Sequence, residues 1–158
     1  MEIRDAMPEE YAEVGELTVR AYLADGPMGD YVEDLRDAED RAKHTDLIIA
    51  LDEGQIVGAV AYVGDGGPYR EVGQTDDEAE FRMLAVDIAA RGRGVGLALV
   101  EECLARARRQ GRRRMLLCTM GRMKIAQHMY DKLGFVRAPD RDWSPVEGVD
   151  LIAYSLDL

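Results

Sequence analysis

The sequence predicts one mixed α+β domain over residues 1–158, on three observations. Apolar residues recur at helical spacing in two separate stretches: Leu97, Val100, Cys103, Leu104 and Ala107, then Ile125, Met129 and Leu133. Strand-like runs lie around them, in "DLIIALDEGQIVGAVAYV", "AEFRMLAV", "MLLCTM" and "VDLIAYSLDL". No repeat, low-complexity tract or linker divides the chain, and 158 residues suffice for a single core.

In chain order, "MEIRDA" reads as a short strand. Pro8 followed by Glu9 and Glu10 opens a helix that reaches about Tyr22. "DGPMGD" is a loop, and residues 29–43 read as one acidic helix with a thin stripe of Val32, Leu35 and Ala38. Asp52-Glu53-Gly54 between two apolar runs marks a hairpin. "GDGGPYREVGQTDDE" is a polar loop of a length that often carries function. After the strand "AEFRMLAV" a helix runs from about 94 to 109 and stops near Gly111, "MLLCTM" is a buried strand, and a helix over 122–133 ends at Gly134. Residues 149–158 close as a strand.

Composition narrows the function. The chain is 47% apolar and 32% charged, as in ordinary globular proteins. No run of about 18 apolar residues occurs, and "MEIRDAMPEE" lacks a leader-like pattern, so the expectation is a cytoplasmic protein without a membrane partner. Cys103 and Cys118 fall in apolar stretches and read as reduced, buried thiols rather than a disulfide or metal site. Net charge is −11, but residues 81–138 hold 13 bases against 4 acids, whereas the remainder holds 7 bases against 27 acids. The overall charge disfavours nucleic acid as a partner, even with "ARARRQGRRR" at 105–114. The uneven distribution suits a polyanion on one side and a cation on the other.

The strongest local signal is "AARGRGVGLALVEEC", residues 89–103, where a glycine turn separates a strand from a helix. A helix N-terminus there presents unpaired N–H groups and a positive dipole end to an anion. A Walker A loop needs Gly-x4-Gly-Lys-Ser/Thr, which is absent. A dinucleotide fingerprint needs glycine where Leu97 stands, and no acidic ribose contact follows, since that region is "GRRRM". What remains is Arg91-x-x-Gly94-x-Gly96.

That pattern resembles the Arg/Gln-x-x-Gly-x-Gly/Ala signature of the GNAT superfamily of N-acetyltransferases. "FRMLAVDIAARGRGVGLALV" is similar to the family's strand-loop-helix, and "AQHMYDKLGF" (126–135) to its second motif, Ala-x-x-x-Tyr-x-x-x-Gly-Phe. The opening "IRDAMPEEYAEV" also fits, so the resemblance covers nearly the whole chain. It implies a GNAT fold: a twisted, mostly antiparallel sheet of six to seven strands, splayed between strands 4 and 5, with about four helices. It implies acetyl-CoA as co-substrate, with the pyrophosphate on Arg91, Gly92, Arg93, Gly94, Val95 and Gly96. The pantetheine arm would lie along Leu84, Ala85 and Val86, whose amides could polarise the thioester carbonyl. No metal is implied, and a homodimer is one assembly the family offers.

Amide formation from a thioester requires a deprotonated amine, a stabilised oxyanion and a proton for the leaving thiolate. At pH 7 only about one alkylamine in a thousand is unprotonated, so a base or a water relay helps. By the resemblance, Tyr130 is the candidate acid and a cofactor contact, and Glu80, fourteen residues before Gly94, the candidate base. Strand alternation would let Arg82 pair with Glu80. Two positions depart from the pattern. Met123 stands where the family often has Asn, altering a contact to the cofactor arm. Cys118 stands where ribosomal-protein-acetylating members carry a catalytic glutamate, and no base in the sequence pairs with it. His44 is expected at a helix C-terminus. The acceptor is expected to enter past Glu33, Asp34, Asp37, Glu39, Asp40, Asp76, Asp77 and Glu78, which suits a cationic small molecule or basic peptide carrying a primary amine. The alternatives are another acyl donor and a non-catalytic acyl-CoA-binding module.

Overall fold

The computed structural model describes residues 1–158. A first strand, β1 (Glu2–Asp5), leads through a 3-10 turn at Pro8–Glu10 into α1 (Tyr11–Leu23). Glu10 joins them: it takes two bonds from the Arg4 guanidinium, at 2.8 and 2.9 Å, and the Met7 amide at 2.8 Å. The helix expected over 29–43 is in fact two, α2 (Tyr31–Arg36) and α3 (Ala38–His44). Asp37 breaks the run with ψ 67°, and its carboxylate accepts the Asp40 amide at 3.1 Å. Aspartate competes for backbone N–H groups in this way, which favours a cap over a helix interior. The break lets Leu35 and Ala38, both buried, meet the body of the protein from two helices.

The hairpin expected at Asp52-Glu53-Gly54 joins β2 (Asp46–Asp52) to β3 (Gln55–Val63). β4 (Glu78–Val86), α4 (Val95–Arg109), β5 (Arg114–Met120) and α5 (Lys124–Leu133) follow close to their expected places. The chain ends with β6 (Val136–Arg137), β7 (Trp143–Val146) and β8 (Val149–Asp157). The sheet thus has eight strands rather than six to seven. The additions are a two-residue strand and one interrupted by Pro145, both too weakly patterned to be read from sequence.

Strand order is β1-β2-β3-β4-β5-β8-β6, with β7 paired to β8. Every neighbouring pair is antiparallel except β4 and β5. One face of the sheet carries a core of Phe81, Leu99, Val100, Cys103, Met115, Leu117, Tyr130 and Phe135 beneath α4 and α5. The other face packs Val14, Leu17, Leu47, Ile49 and Ala85 under α1 and α3. α4 lies hard against β3 because Gly58 has no side chain. A Cβ there would stand 2.8 Å from Val95 and 3.0 Å from Leu99. No helix is long and apolar enough to cross a membrane.

Where β4 begins, Glu78 is buried against Arg141, with contacts of 2.9 and 3.1 Å, and lies 3.5 Å from Arg114. Arg141 also donates to the Val72 carbonyl at 2.7 Å. Burial pushes the Glu78 carboxyl up, but the Arg141 bond and the Gln74 amide outweigh it, so its pKa lies below the ordinary value. Removing one partner of a buried pair strands the other charge. Arg141→Ala should therefore cost about 3 kcal/mol, read as a lower urea midpoint. A depressed folded pKa means the stabilisation is present above the unfolded value and lost as pH falls through the folded one. The wild type should thus lose this contribution only below about pH 4. In the variant, where burial acts on Glu78 with less opposition, the folded pKa moves up toward or past the unfolded one, so this acid-dependent loss should shrink or change sign.

Candidate active site

β4 and β5 pair for only three residues, Glu78↔Arg114, Ala79↔Met115 and Glu80↔Leu116. Beyond them β5 continues with β8 as far as Met120↔Leu151, while β4 keeps only β3 as a neighbour. A wedge therefore opens between the two parallel strands, with the β4 edge facing it unpaired. The Asp87 amide donates to Val57 in β3 at 2.8 Å, so strand alternation turns the Val86 amide, and with it Leu84, toward the wedge. Leu84 and Val86 are also partly buried against the core, and Ala85 packs on the opposite face.

A bulge lies in this segment of β4. Pairing with β3 skips from Ala59↔Ala85 to Ala61↔Arg82, and Met83 has φ 55°. A non-glycine residue in that region costs on the order of 1–3 kcal/mol, and such strain collects beside functional sites. Here it turns both Arg82 and Met83 to the α1–α2 side: Met83 packs with Val19 and Leu35, and Arg82 donates to the Tyr31 hydroxyl at 3.2 Å.

At the wide end of the wedge is the turn of residues 91–96. Gly92 and Gly94 have φ 79° and 82°, conformations that call for glycine, and Gly94 is the N-cap of α4. Gly96 is different. Its φ is helical, and a Cβ there would meet Val86 and Met129 at ordinary distances of 3.5 and 3.7 Å. Nothing inside the chain requires glycine at 96, and the bare position keeps open the space beside Val86 and Met129 that a side chain would fill. The amides of residues 92 through 97 find no acceptor in the protein. Six consecutive free donors at the positive end of a fifteen-residue helix form an anion cradle. Val95 is buried beneath it. The two arginines point elsewhere: Arg91 donates to Ala21 O at 3.1 Å and lies 3.6 Å from Asp25, and Arg93 is 3.1 Å from Asp52.

Tyr130, on α5, is 4% exposed, with its ring among Phe81, Phe135 and Tyr154 at centroid distances of 5.8 to 6.1 Å. Its hydroxyl bonds to nothing in the chain, yet it is not sealed in, since the one enclosed side-chain polar atom without a partner is Arg112 Nε. Burial pushes its pKa well above the usual phenol value, so it stays a proton donor. Met123 caps α5 through its backbone, gives its own amide to Met120 O, and takes a contact from the Thr119 hydroxyl at 3.5 Å. Buried Gln127, unremarked in the sequence, holds this turn by donating to Met120 O and Gly121 O at 3.0 and 3.1 Å.

Glu80 does not meet Arg82, as strand alternation suggested. It is 1% exposed, and its carboxylate accepts the amides of Glu71, Val72 and Gly73 at 2.9, 3.2 and 3.0 Å. Burial raises its pKa against the pull of those amides. The turn it grips presents Glu71, which sequence reasoning missed. Glu71 lies 3.0 Å from Arg82 and accepts from the Cys118 thiol at 2.8 Å. Cys118 therefore has a carboxylate partner after all, supplied from 47 positions away. It is partly accessible, whereas Cys103 is fully buried, and both are free thiols. His44 ends α3 as expected and stacks on Tyr69 at 6.0 Å. Of the acids expected to line an entrance, Glu78 is neutralised by Arg141 at the closed end of the wedge, and Glu33 pairs with Arg36 at 2.8 Å. They do not converge on one opening. No cluster of three potential metal ligands exists. Two cavities, of about 460 and 260 Å³, lie around β6 and around Gln110.

The family model described as the acetyltransferase (GNAT) family matches residues 11–135. The mycothiol acetyltransferase of Cellulomonas flavigena is 32% identical over 120 residues, covering 67% of this chain and 33% of that protein. That of Geodermatophilus obscurus is 32% identical over 132 residues, covering 78% and 41%. The chain thus spans between a third and two fifths of the length of these relatives. A structure from Salmonella typhimurium, solved with its cofactor acetyl-CoA, superposes with a TM-score of 0.71 at 22% identity, over 100% of this chain and 94% of that one. The chain belongs to the acetyltransferase (GNAT) family.

The Glu71 contact has a direct consequence for thiol chemistry. Burial first, and then the Glu71 carboxylate, push the Cys118 thiol well above its ordinary pKa, which keeps it protonated and slow. In Glu71→Gln the negative charge is gone and the thiolate fraction rises. Alkylation of Cys118 by a small maleimide near pH 8 should be several-fold faster in the variant, with Cys103 silent in both. An unchanged rate would mean that the contact does not govern the thiol.

Proposed function

We propose that this chain moves the acetyl group of acetyl-CoA onto a primary amine of a small molecule. The observation that supports this most is the run of unpaired amides at residues 92–97 beside an open strand edge. Together they match a ligand with a compact anion at one end and an amide-bearing arm at the other. The family membership and the acetyl-CoA-bound neighbour agree with that choice. The bare Gly96 beside Val86 and Met129 suits that ligand too, since a phosphate needs backbone approach there.

The amides of Gly92, Arg93, Gly94, Val95 and Gly96 would hold the pyrophosphate, with Arg91 and Arg93 adding positive charge once turned from Asp25 and Asp52. Leu84, Ala85 and Val86 would pair with the arm, with Met123 on its far side. Acetyl-CoA bound in this way supplies an electrophilic thioester carbonyl. A β4 amide beside the Met83 bulge polarises that carbonyl oxygen. Tyr130 directs an unshared hydroxyl at the wedge and donates the proton that the departing sulfur takes up.

Two carboxylates stand near the acceptor side. Glu80 carries the base role expected from the sequence, acting from behind the 71–73 turn. Its grip on that turn fixes Glu71, which stands between Arg82 and Cys118 and receives the ammonium. A cationic amine keeps this one support, in place of the wider acidic entrance. The curated relatives are named for mycothiol, which favours a small molecule over a peptide. Free thiols at Cys103 and Cys118 suit a reducing compartment such as the cytoplasm.

Thermal shift with acetyl-CoA, with NADH and ATP as controls, tests this reading. At about 100 times its Kd, acetyl-CoA should add roughly 2.7 kcal/mol of stability, and the controls should add little. Gly96→Ala should leave the unliganded melting temperature unchanged or slightly raised, because alanine is the better helix former, yet abolish the acetyl-CoA shift. Tyr130→Phe should retain the shift and lower kcat about 100-fold. A shift by ATP alone, or a Gly96→Ala protein that still responds to acetyl-CoA, would overturn the reading. An intact shift with no turnover on any amine would favour the binding-module alternative.

A further inference from the structure

Arg41, on α3, is 1% exposed and is among the largest fully buried side chains in the protein. No carboxylate lies within 4.0 Å of it, although most of the other arginines have such a partner. The chain offers its guanidinium a single hydrogen bond, from Nη1 to the Asp34 carbonyl at 2.8 Å. An arginine carries five N–H donors and keeps its charge when buried. Taking that charge out of water without a counter-charge is strongly unfavourable, so such an arginine calls for an explanation. Its remaining nitrogens are not sealed off, since Arg112 Nε alone is enclosed without a partner.

The surroundings of Arg41 show where it faces. Tyr69, Tyr22 and Tyr31 are its near neighbours, along with Asp37. Tyr31 is also the hydroxyl that Arg82 reaches, and the Arg82 guanidinium lies 5.7 Å from the centre of the Tyr69 ring. Tyr69 itself is fixed, donating to Asp40 at 2.6 Å. Tyr22 packs with Tyr31 against Val19, Leu35 and Met83. Arg41 therefore stands behind the tyrosines on the same side of β4 as Glu71, Arg82 and Cys118, the side left for the acceptor. Tyr22 makes no hydrogen bond within the chain, so it too offers an unshared polar group in the same place.

We propose that the acceptor is an amine that also bears a carboxylate, which Arg41 binds with help from the Tyr22 hydroxyl, while Glu71 receives the ammonium end. The inference rests on the acetyl-transfer reading above and names the substrate class for that site. A guanidinium fork matches a carboxylate in two parallel hydrogen bonds, which a neutral or purely cationic amine cannot supply. The acceptor is thus a zwitterion of amino-acid type, and the unpaired charge of Arg41 is its recognition element.

The test compares matched acceptors in acetyl transfer: leucine with isoamylamine, phenylalanine with phenethylamine, and lysine with cadaverine. The carboxylate-bearing member of at least one pair should have kcat/KM higher by about 10- to 100-fold, the range expected for a charge-assisted bond. Arg41→Met should erase that preference through KM while leaving the acetyl-CoA thermal shift intact. A readout independent of turnover accompanies it: an N-acetyl amino acid, in the presence of CoA, should raise the melting temperature of the wild type but not of Arg41→Met. Removing an uncompensated buried charge should also leave the variant at least as stable as the wild type. Three results would overturn the proposal: preference for the decarboxylated amines, the same preference in Arg41→Met, or marked destabilisation of that variant, which would make Arg41 a structural cation. None of these touches the acetyl-CoA shift, so the failure of the wider reading would be seen separately.

Discussion

The parting of β4 from β5 after three paired residues is the constraint on which the rest of the molecule depends. Two adjacent parallel strands would ordinarily continue their ladder, because an unpaired strand edge inside a protein leaves donors and acceptors unsatisfied. Here each strand is diverted by a stronger commitment elsewhere. β5 is held in register with β8 along its whole length, from Arg114↔Asp157 to Met120↔Leu151. β4 follows β3 and is bent by the bulge at Met83. The aromatic group of Phe81, Tyr130 and Phe135 fills the space beneath the wedge on the α4–α5 side. At the narrow end, Glu78, Arg114 and Arg141 lock the strands together. The wedge is therefore hinged at one end and filled on one face, which leaves its mouth and its other face for ligands.

Those two free regions have opposite chemistry. The mouth is lined by main-chain donors and the N-terminus of α4, a site whose charge comes from dipoles and which needs no lysine or arginine in contact. Arg91 and Arg93, engaged with Asp25 and Asp52, supply background potential rather than a fixed clamp. The other face is built from side chains: Glu71, Arg82, Cys118, Tyr31 and Arg41. Its geometry is maintained by Glu80, a carboxylate that is itself buried and satisfied by three amides. A group held that firmly sets where residue 71 stands.

How much of this the sequence disclosed follows from the range of each interaction. The glycine turn, the α4 and α5 stripes and the β2–β3 hairpin are local, set by residues within a few positions of one another, and all were legible. So were the places of Tyr130 on α5 and of the turn before α4. The division of the second helix at Asp37 was missed because the apolar stripe continues through it, and only the capping bond reveals the break. β6 and β7 were missed because they borrow their order from β8. The acceptor side was the least legible part. Glu71 meets Cys118 across 47 positions, and Arg141 meets Glu78 across 63. No periodicity encodes such pairings, and strand alternation alone suggested the wrong partner for Arg82.

Charge shows the same contrast, and it bears on what the protein can recognise. The chain's net charge of −11 argued for a cationic acceptor, and the acids of α2, α3 and the loop before β4 were the basis for that. Those acids occupy the exterior, paired with Arg36 or capping helices, or they neutralise Arg141 at the hinge. In water, behind a Debye length of roughly 8 Å, such charges steer and solubilise but discriminate little. Discrimination comes from charges that water cannot screen. On the acceptor side those are the buried cation of Arg41 and the Arg82–Glu71 pair, a cation with no charged partner beside a carboxylate that has two partners. The buried Arg41 cation runs against the acidic trend of the surface. The protein's specificity is set by a few desolvated groups that the overall composition conceals.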